Sequence, residues 1–202
     1  MQTFTSVRGK AAPMLAANID TDVIMPKQFL KGIDRNGLDR GVFFDQRFLS
    51  SGDPNPDFIL NKSDWQPARF LVVGPNFGCG SSREHAVWGL KQLGIRALIG
   101  TSFAGIFFDN CRRNGILTIK LNDAEFQQLA QTISAPDSNE LGIDLGAQQI
   151  QLQDGHSISF EIDALSRNAL LSGLDAIGST LQRADQIRQF EQQHLGENPW
   201  LA

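Results

Sequence analysis

The residues best suited to chemistry lie in one glycine-rich stretch, NFGCGSSREH. Gly78 and Gly80 allow the backbone to approach a ligand closely, because they carry no side chain. Ser81 and Ser82 offer hydroxyl groups, and Arg83 offers a planar guanidinium that suits a carboxylate. These residue types indicate a site for an oxyanion or a carboxylate. A tight structural turn with capping serines would use the same residues, so the stretch alone leaves both interpretations open.

Three other glycine-rich motifs do not fit this stretch. A dinucleotide-binding fingerprint needs a third glycine at the position of Arg83. A phosphate-binding P-loop needs a Gly-Lys-Ser or Gly-Lys-Thr ending, which this stretch lacks. A nucleophile elbow needs the pentad Gly-x-Ser-x-Gly, and neither Ser81 nor Ser82 stands in one. Among the ligand-binding interpretations, carboxylate chemistry is the one that remains.

The elements around the stretch are predicted to be a strand, a turn and a helix. Residues 70–73, with the sequence FLVV, form a short apolar run that is typical of a buried strand. A helix is predicted to begin near Ser82 and to end at Gly94, because apolar residues recur on one helical face between them. The N-terminus of a helix presents free backbone N–H groups, so this order of elements favours anion binding.

The rest of the chain predicts an α/β fold in which helices flank a mixed sheet. Further strands are expected at residues 3–7, 96–100 and 116–121, and helices at residues 103–113 and 123–134. Two alternating segments on either side of Asp154-Gly155 predict a hairpin, and a long polar helix is expected from about residue 180 to 195.

The length of 202 residues predicts a single domain over residues 1–202. Residues 28–60 form a loop-rich region, because proline, glycine and asparagine are frequent near its end. Residues 164–202 are predicted to form a C-terminal helical arm. Loops as long as the 28–60 region are often binding loops, so this region is a candidate for substrate recognition.

Composition excludes several classes of protein. The net charge is −4 and no basic cluster occurs, so binding to nucleic acid or to an anionic membrane is not expected. No stretch approaches the roughly 20 apolar residues of a membrane span, and the first residues lack the apolar core of a signal peptide. Cys79 and Cys111 have neither disulfide nor zinc spacing, and the three histidines lie far apart. We therefore expect reduced thiols, a cytoplasmic location and no metal site within the chain.

Four segments together resemble the small subunits of isopropylmalate dehydratases, which are related to the swivelling C-terminal domain of aconitase. The segment NFGCGSSREHAVWGLKQLGIRALIGTSFAGIFFDNCRRNGIL resembles the active-site segment of that family. NIDTDVIMPKQFLK is similar to its N-terminal motif, and PNPDFILN and SGLDAIG to its later landmarks. The likeness runs over roughly residues 18–182. It implies an α/β swivelling β/β/α domain with a mixed sheet flanked by helices.

The resemblance also implies an activity and a partner. Members of the family eliminate water from a small hydroxy-di- or tricarboxylate and add it back. A [4Fe-4S] cluster on a separate large subunit binds the substrate hydroxyl, so this chain would be active only in a hetero-oligomer. Two isolated cysteines could not hold such a cluster, which agrees with this expectation.

The resemblance assigns roles to individual residues. Ser81 matches the serine base, and Arg83 matches the arginine that clamps a substrate carboxylate. Asp22 matches an aspartate that helps to deliver a proton to the leaving hydroxyl. Ser82 matches a hydroxyl that contacts the substrate, and Lys31 lies where the family's specificity loop reads the substrate side chain. Arg35 is close enough in sequence to share that role, and Gly80 is expected to let the backbone approach the substrate.

The substrate side chain is less closely defined. Leu38, Asn36 and Asp34 depart from the family's usual pattern in the recognition loop. The leading expectation is the interconversion of 2-isopropylmalate and 3-isopropylmalate in leucine biosynthesis. The alternatives are a sister dehydratase acting on citraconate, methylmalate or another alkylmalate, and a non-catalytic anion-binding assembly module.

Overall fold

The fold is centred on one mixed β-sheet. The structure is a computed structural model that describes residues 1–31 and 35–201. Within these ranges seven strands form the sheet, in the order β4-β3-β2-β1-β5-β6-β7. The strands are β1 Ser6–Met14, β2 Ala68–Val73, β3 Ala97–Gly100, β4 Leu117–Lys120, β5 Glu140–Asp144, β6 Gln149–Leu152 and β7 Ser157–Ser159.

Helices pack on both faces of the sheet and extend beyond it. Among the described residues they are α1 Thr21–Ile24, α2 Phe44–Arg47, α3 His85–Gln92, α4 Gly105–Asn114, α5 Asp123–Ile133, α6 Ala164–Ser172, α7 Ala176–Leu181 and α8 Ala184–Glu197. The prediction of an α/β fold with helices flanking a mixed sheet is confirmed.

Strands β1 to β4 run parallel and form the half of the sheet that is buried on both faces. Their apolar residues divide between two cores because successive side chains of a strand point to opposite faces. Leu71 and Val73 of β2 lie in the core that includes α3 and α4. Phe70 and Val72 lie in the core that includes α5 and α6.

Strand β1 occupies the centre of the sheet, which the sequence did not predict. It pairs in parallel with β2 and antiparallel with β5. The prediction of a strand at residues 3–7 was wrong in its bounds, since β1 runs from Ser6 to Met14. Lys10, Gly9 and Pro13 interrupt the apolar pattern of β1, so its pairing partners rather than its own residues determine its length.

The hairpin at residues 149–159 is confirmed, but the long helix expected within the C-terminal arm differs from its prediction. The expected helix from 180 to 195 is two helices, α7 and α8, which meet near Arg183. No described residue of α7 or α8 is buried. Helices α7 and α8 therefore add little to either core, whereas Leu170 of α6 is buried.

The loop-rich region 28–60 is ordered by short helical turns where the structure describes it. These turns are the 3-10 helices Lys27–Leu30, Leu38–Gly41 and Ile59–Asn61, together with α2. Residues 32–34 of the predicted recognition region, including Asp34, lie outside the described residues. Within residues 1–31 and 35–201, no helix has the length and apolar character needed to span a membrane.

Candidate active site

The candidate site lies where the loops after β1 and β2 meet. Because these strands are parallel neighbours, both loops leave the same edge of the sheet. The backbone N–H of Gly78 donates to the carbonyl of Ile19 at 2.8 Å, and that of Thr21 donates to the carbonyl of Cys79 at 2.8 Å. Asp20 and Cys79 form an isolated parallel bridge. The pairing of β1 with β2 thus resumes beyond the strand ends and fixes the two loops side by side.

Two glycines give the second loop its shape. Gly78 has a φ of +78°, and a Cβ at this position would lie 2.2 Å from Cγ of Phe107. Gly80 has a φ of +96°, and a Cβ there would lie 3.4 Å from Oγ1 of Thr21. Both positions lie in the left-handed region that favours glycine. They direct the chain so that Ser81 faces the loop after β1.

Ser81 is held through its backbone and through its side chain. Its N–H donates to Oγ1 of Thr21 at 2.9 Å, and Thr21 is buried. Its own Oγ accepts a hydrogen bond from Nε of Arg83 at 2.7 Å and a longer one from the Arg83 backbone N–H at 3.3 Å. A positively charged donor therefore points directly at the serine oxygen.

Arg83 also reaches across to the loop after β1. Its Nη2 lies 2.6 Å from Oδ1 of Asp22, and Oδ2 of Asp22 lies 3.6 Å from Nζ of Lys27. The side chains of Arg83 and Asp22 are 38% and 43% exposed. We call Ser81, Arg83 and Asp22 the Ser81 cluster. The structure brings these three predicted residues together at an open face of the molecule.

The prediction that α3 begins near Ser82 was wrong. The helix begins at His85, and Glu84 precedes it without a side-chain cap. Residues 81–84 form an irregular turn because their polar groups bond to side chains of other elements, namely those of Thr21, Asp22 and Asn110. The free N–H groups of the helix therefore lie several residues beyond Ser81. The positive charge at its Oγ comes from Arg83.

Of the other predicted site residues, two flank Ser81 and two belong to the recognition region. Ser82 and Gly80 flank Ser81 and are exposed. The carbonyl of Ser82 accepts from Nδ2 of Asn110 at 3.1 Å. Lys31 is exposed and follows the 3-10 helix that begins at Lys27. Arg35 is exposed, and its guanidinium lies 4.1 Å from the ring centroid of a tryptophan on α3.

His85 lies at the start of α3, next to Arg83. Its Nδ1 is buried and makes no hydrogen bond within the described part of the chain. Burial lowers the pKa of the His85 imidazole, and the positive charges of Arg83 and Arg35 lower it further. Glu84 opposes this with a smaller effect. These influences favour a neutral imidazole beside two guanidinium groups.

Sequence reasoning missed three residues that build the site. Thr21 orients the Ser81 backbone, Lys27 pairs with Asp22, and Asn110 holds the carbonyl of Ser82. Thr21 and Lys27 lie within the NIDTDVIMPKQFLK segment, so their position near Asp22 was a usable signal. Asn110 gave none, because a single polar residue on a helix reveals neither its burial nor its partner.

The thiols of the described residues do not form a ligand set. Cys79 and Cys111 are both free, and Sγ of Cys79 lies 3.5 Å from the carbonyl oxygen of Asn18. Cys111 is fully buried, which raises the pKa of its thiol. Among residues 1–31 and 35–201, no group of three or more histidine, cysteine and carboxylate side chains could hold a metal ion.

Comparison with known families first identifies the class of domain. A model of the aconitase C-terminal domain matches residues 1–124, which include the whole Ser81 cluster. Two further models match the rest of the chain. One is described as LeuD_N and covers residues 127–164, and the other describes the C-terminal domain of the 3-isopropylmalate dehydratase small subunit, over residues 177–202. The fold is that of an aconitase C-terminal type domain.

Similar proteins then identify the family. The 3-isopropylmalate dehydratase small subunit 1 of Mannheimia succiniciproducens is 64% identical, over 100% of this chain and 99% of that protein. Small subunit 2 of Salmonella typhimurium is 59% identical, over 100% and 96%. A crystal structure of 3-isopropylmalate dehydratase from Methanocaldococcus jannaschii aligns with a TM-score of 0.65 and 27% identity, over 93% of this chain and 99% of that one. This chain belongs to the 3-isopropylmalate dehydratase small subunit family.

Proposed function

We propose that this chain joins a large subunit to interconvert 2-isopropylmalate and 3-isopropylmalate, by removal and re-addition of water in leucine biosynthesis. The observation that carries the proposal is the hydrogen bond of 2.7 Å from Nε of Arg83 to Oγ of Ser81. It gives a serine oxygen a fixed cationic partner at an open face. The match of the relatives along the full chain supports the same substrate class.

Ser81 acts as the base in this proposal. A serine hydroxyl is a weak base unless its alkoxide is stabilised, and a charged donor provides that stabilisation. The alkoxide removes the proton from the carbon next to a substrate carboxylate, while the hydroxyl on the neighbouring carbon leaves. Water then adds to the double bond with the reverse orientation. The hydroxyl joins the carbon that had lost its proton, and a proton joins the carbon that had carried the hydroxyl. A positioned base of this kind contributes about 10²- to 10⁴-fold in rate.

Arg83 binds the substrate carboxylate next to the carbon that loses its proton. Its Nη2 already pairs with Asp22, so the substrate competes with Asp22 for the guanidinium. Ion pairs as exposed as this one contribute only about 0–1 kcal/mol, so the exchange has a small cost. A carboxylate and the Ser81 oxygen then share one guanidinium, which places the base beside the acidic proton.

Asp22 takes the second role in proton transfer. When the substrate occupies Nη2 of Arg83, Asp22 keeps Lys27 as a partner at 3.6 Å and faces the same opening. We infer that Asp22 helps to deliver a proton to the departing hydroxyl. We assign Ser82, Gly80, Lys31 and Arg35 to contacts with the rest of the substrate.

The partner supplies what this chain does not carry. In the proposal a [4Fe-4S] cluster on the large subunit acts as a Lewis acid on the substrate hydroxyl when it is bound. We assign the cluster ligands to the large subunit, and proton transfer and carboxylate binding to this chain. We also infer a cytoplasmic location, since both thiols are free.

Reconstitution tests the proposal. The chain is combined with a 3-isopropylmalate dehydratase large subunit under anaerobic conditions, and the interconversion of the two isopropylmalates is followed. We expect activity only when both chains are present. Competition among 2-isopropylmalate, citraconate and methylmalate on the assembled enzyme measures the substrate preference. If kcat/KM is higher for citraconate or methylmalate than for 2-isopropylmalate, the chain belongs to a sister dehydratase. If none of the three is turned over, the proposed function is wrong.

A further inference from the structure

One face of α3 holds a segment of the recognition region. Trp88 and Gln92 lie one helical turn apart, so their side chains project from the same face. The guanidinium of Arg35 lies over the indole of Trp88, with Cζ 4.1 Å from the ring centroid. The side chain of Gln92 accepts a hydrogen bond from the N–H of Leu38 at 2.8 Å and donates one to the carbonyl of Arg35. We call Trp88 and Gln92 the α3 clamp.

The α3 clamp is connected to the active-site turn by side chains of α4. Nε1 of Trp88 donates to Oδ1 of Asn114 at 3.0 Å, and Nδ2 of Asn114 donates to the carbonyl of Asn110 at 2.8 Å. Asn110 is buried, and its Nδ2 donates to the carbonyl of Ser82 at 3.1 Å. A continuous series of hydrogen bonds therefore fixes Trp88 relative to the residue that follows Ser81.

Arg83 and Arg35 both lie close enough to His85 for their positive charges to lower the pKa of its imidazole. The His85 ring lies 4.8 Å from the ring of Trp88. A substrate with two carboxylates can pair with two cations. Arg83 is the partner of one in the proposed function, and Arg35 is the nearby guanidinium that is held by an aromatic ring.

We propose that the α3 clamp positions Arg35 to bind the second carboxylate of the substrate. The inference rests on the proposed function, because it assigns a role within the same site. An exposed arginine loses side-chain entropy when it binds a ligand, and an aromatic ring that already restricts its guanidinium reduces that loss. Trp88 and Gln92 are thus positioning residues, which act through Arg35 and do not touch the substrate.

The assembled two-subunit enzyme tests the role of the clamp. Trp88→Leu and Gln92→Ala should each raise KM for 2-isopropylmalate about 3- to 10-fold, as expected for loss of a partly exposed cation–π or hydrogen-bond contact, while kcat stays within about twofold. Trp88→Phe keeps an aromatic face and should restore most of the affinity. Arg35→Met should raise KM at least as much as Trp88→Leu.

A double-mutant cycle separates positioning from a general loss of stability. If Trp88 acts through Arg35, the Trp88→Leu change should have little further effect on KM in an Arg35→Met background. Phe108→Leu is the matched control, since it removes a second cation–π pair, with Nζ of Lys120 at 4.8 Å, near the edge strand β4. We expect that control to leave KM unchanged.

Three results would overturn the clamp. One is an unchanged KM in both Trp88→Leu and Gln92→Ala. Another is multiplication of the Trp88→Leu and Arg35→Met effects in the double variant. The third applies if Trp88→Leu does not assemble. In that case an unchanged KM for Gln92→Ala, at an exposed position, would overturn the clamp by itself. A wild-type complex that turns over no isopropylmalate would instead refute the proposed function, and the clamp with it.

Discussion

Nε of Arg83 lies 2.7 Å from Oγ of Ser81, so a guanidinium two residues away donates to the atom that we propose as the base. The same guanidinium contacts Asp22 through Nη2, which fixes the plane of the arginine. Because Nε is the least mobile nitrogen of the side chain, the direction of this hydrogen bond changes little when Nη2 exchanges partners. The base can therefore remain oriented while a substrate carboxylate replaces Asp22.

Replacing Ser81 by alanine should reduce kcat of the assembled enzyme by about 10²- to 10⁴-fold, because the proton acceptor is lost. Assembly should be unaffected, since the backbone N–H of Ser81, which survives the change, makes the bond to Thr21. Ser157→Ala, on the exposed end of β7, is the control. Steady-state kinetics with size-exclusion chromatography check both points. Wild-type kcat in Ser81→Ala would show that another group is the base.

Replacing Arg83 by lysine should lower kcat/KM by about 10²-fold, because one ammonium cannot contact Ser81 and a carboxylate in the way a planar guanidinium does. Both kcat and KM should change, since the residue supports the base and binds the substrate. Arg113→Lys, an exposed position on α4, makes the same change of charge geometry away from the site. Unaltered kcat and KM for Arg83→Lys would remove Arg83 from the site.

Replacing Asp22 by asparagine separates stability from function. The ion pair of Asp22 with Arg83 is more than one-third exposed, so its loss should change the free energy of unfolding by less than about 1 kcal/mol. We expect kcat to fall by about 10- to 100-fold, as for the loss of a proton donor. Thermal unfolding of the chain and turnover of the assembled enzyme measure the two effects. An unchanged kcat would leave Asp22 as a structural partner of Arg83 alone.

The pH dependence of stability should reflect His85. Its pKa in the folded chain is lowered from the ordinary value of 6.5, mainly by burial. The folded state therefore binds fewer protons than the unfolded state in the range between the two pKa values. Stability should be complete above pH 6.5 and should fall as the pH drops through that range. His85→Gln should reduce this dependence and His194→Gln should preserve it, as measured by urea unfolding across roughly pH 5–8.

Replacing Gly78 by alanine should destabilise the chain by about 1–3 kcal/mol, because the new Cβ would overlap the Phe107 ring at a positive φ. For a chain of this size that corresponds to a fall of several degrees in Tm. Gly105→Ala is the control, since a Cβ there meets no atom within 4 Å. It should be neutral or slightly stabilising at the start of α4. Equal Tm values for the two variants would contradict the steric argument.

The parallel half of the sheet could be predicted because its signals are local. β2, β3 and β4 are short apolar runs, and a glycine, Gly94 or Gly115, follows each of the helices α3 and α4 within two residues. β1 and β5 were misplaced or missed, since Lys10, Gly9 and Gly142 weaken their patterns. Strand pairing in the centre of the sheet overrides such local preferences. The boundary between α7 and α8 also carried no strong signal.

The residues of the candidate site were predicted, but the hydrogen bonds and ion pairs between them were not. Ser81 and Asp22 lie 59 positions apart in the sequence, and only the resemblance to a family placed them together. The contact of Arg83 with both residues depends on the bridge between Asp20 and Cys79, which no local pattern encodes. Trp88 and Asn110 were missed for the same reason. Their importance lies in their partners, and the partners come from other elements.

The bridge between Asp20 and Cys79 is a main-chain interaction, whereas other parts of the site are positioned by side chains. Main-chain hydrogen bonds set the spacing of the two loops, so substitutions in the chain's outer surface leave that spacing intact. The segment around Arg35, in contrast, is attached by the side chains of Trp88 and Gln92. Substitutions on α3 and α4 can therefore change the substrate preference while Ser81 and Asp22 keep their positions. A fold of this kind can evolve new specificities with few changes.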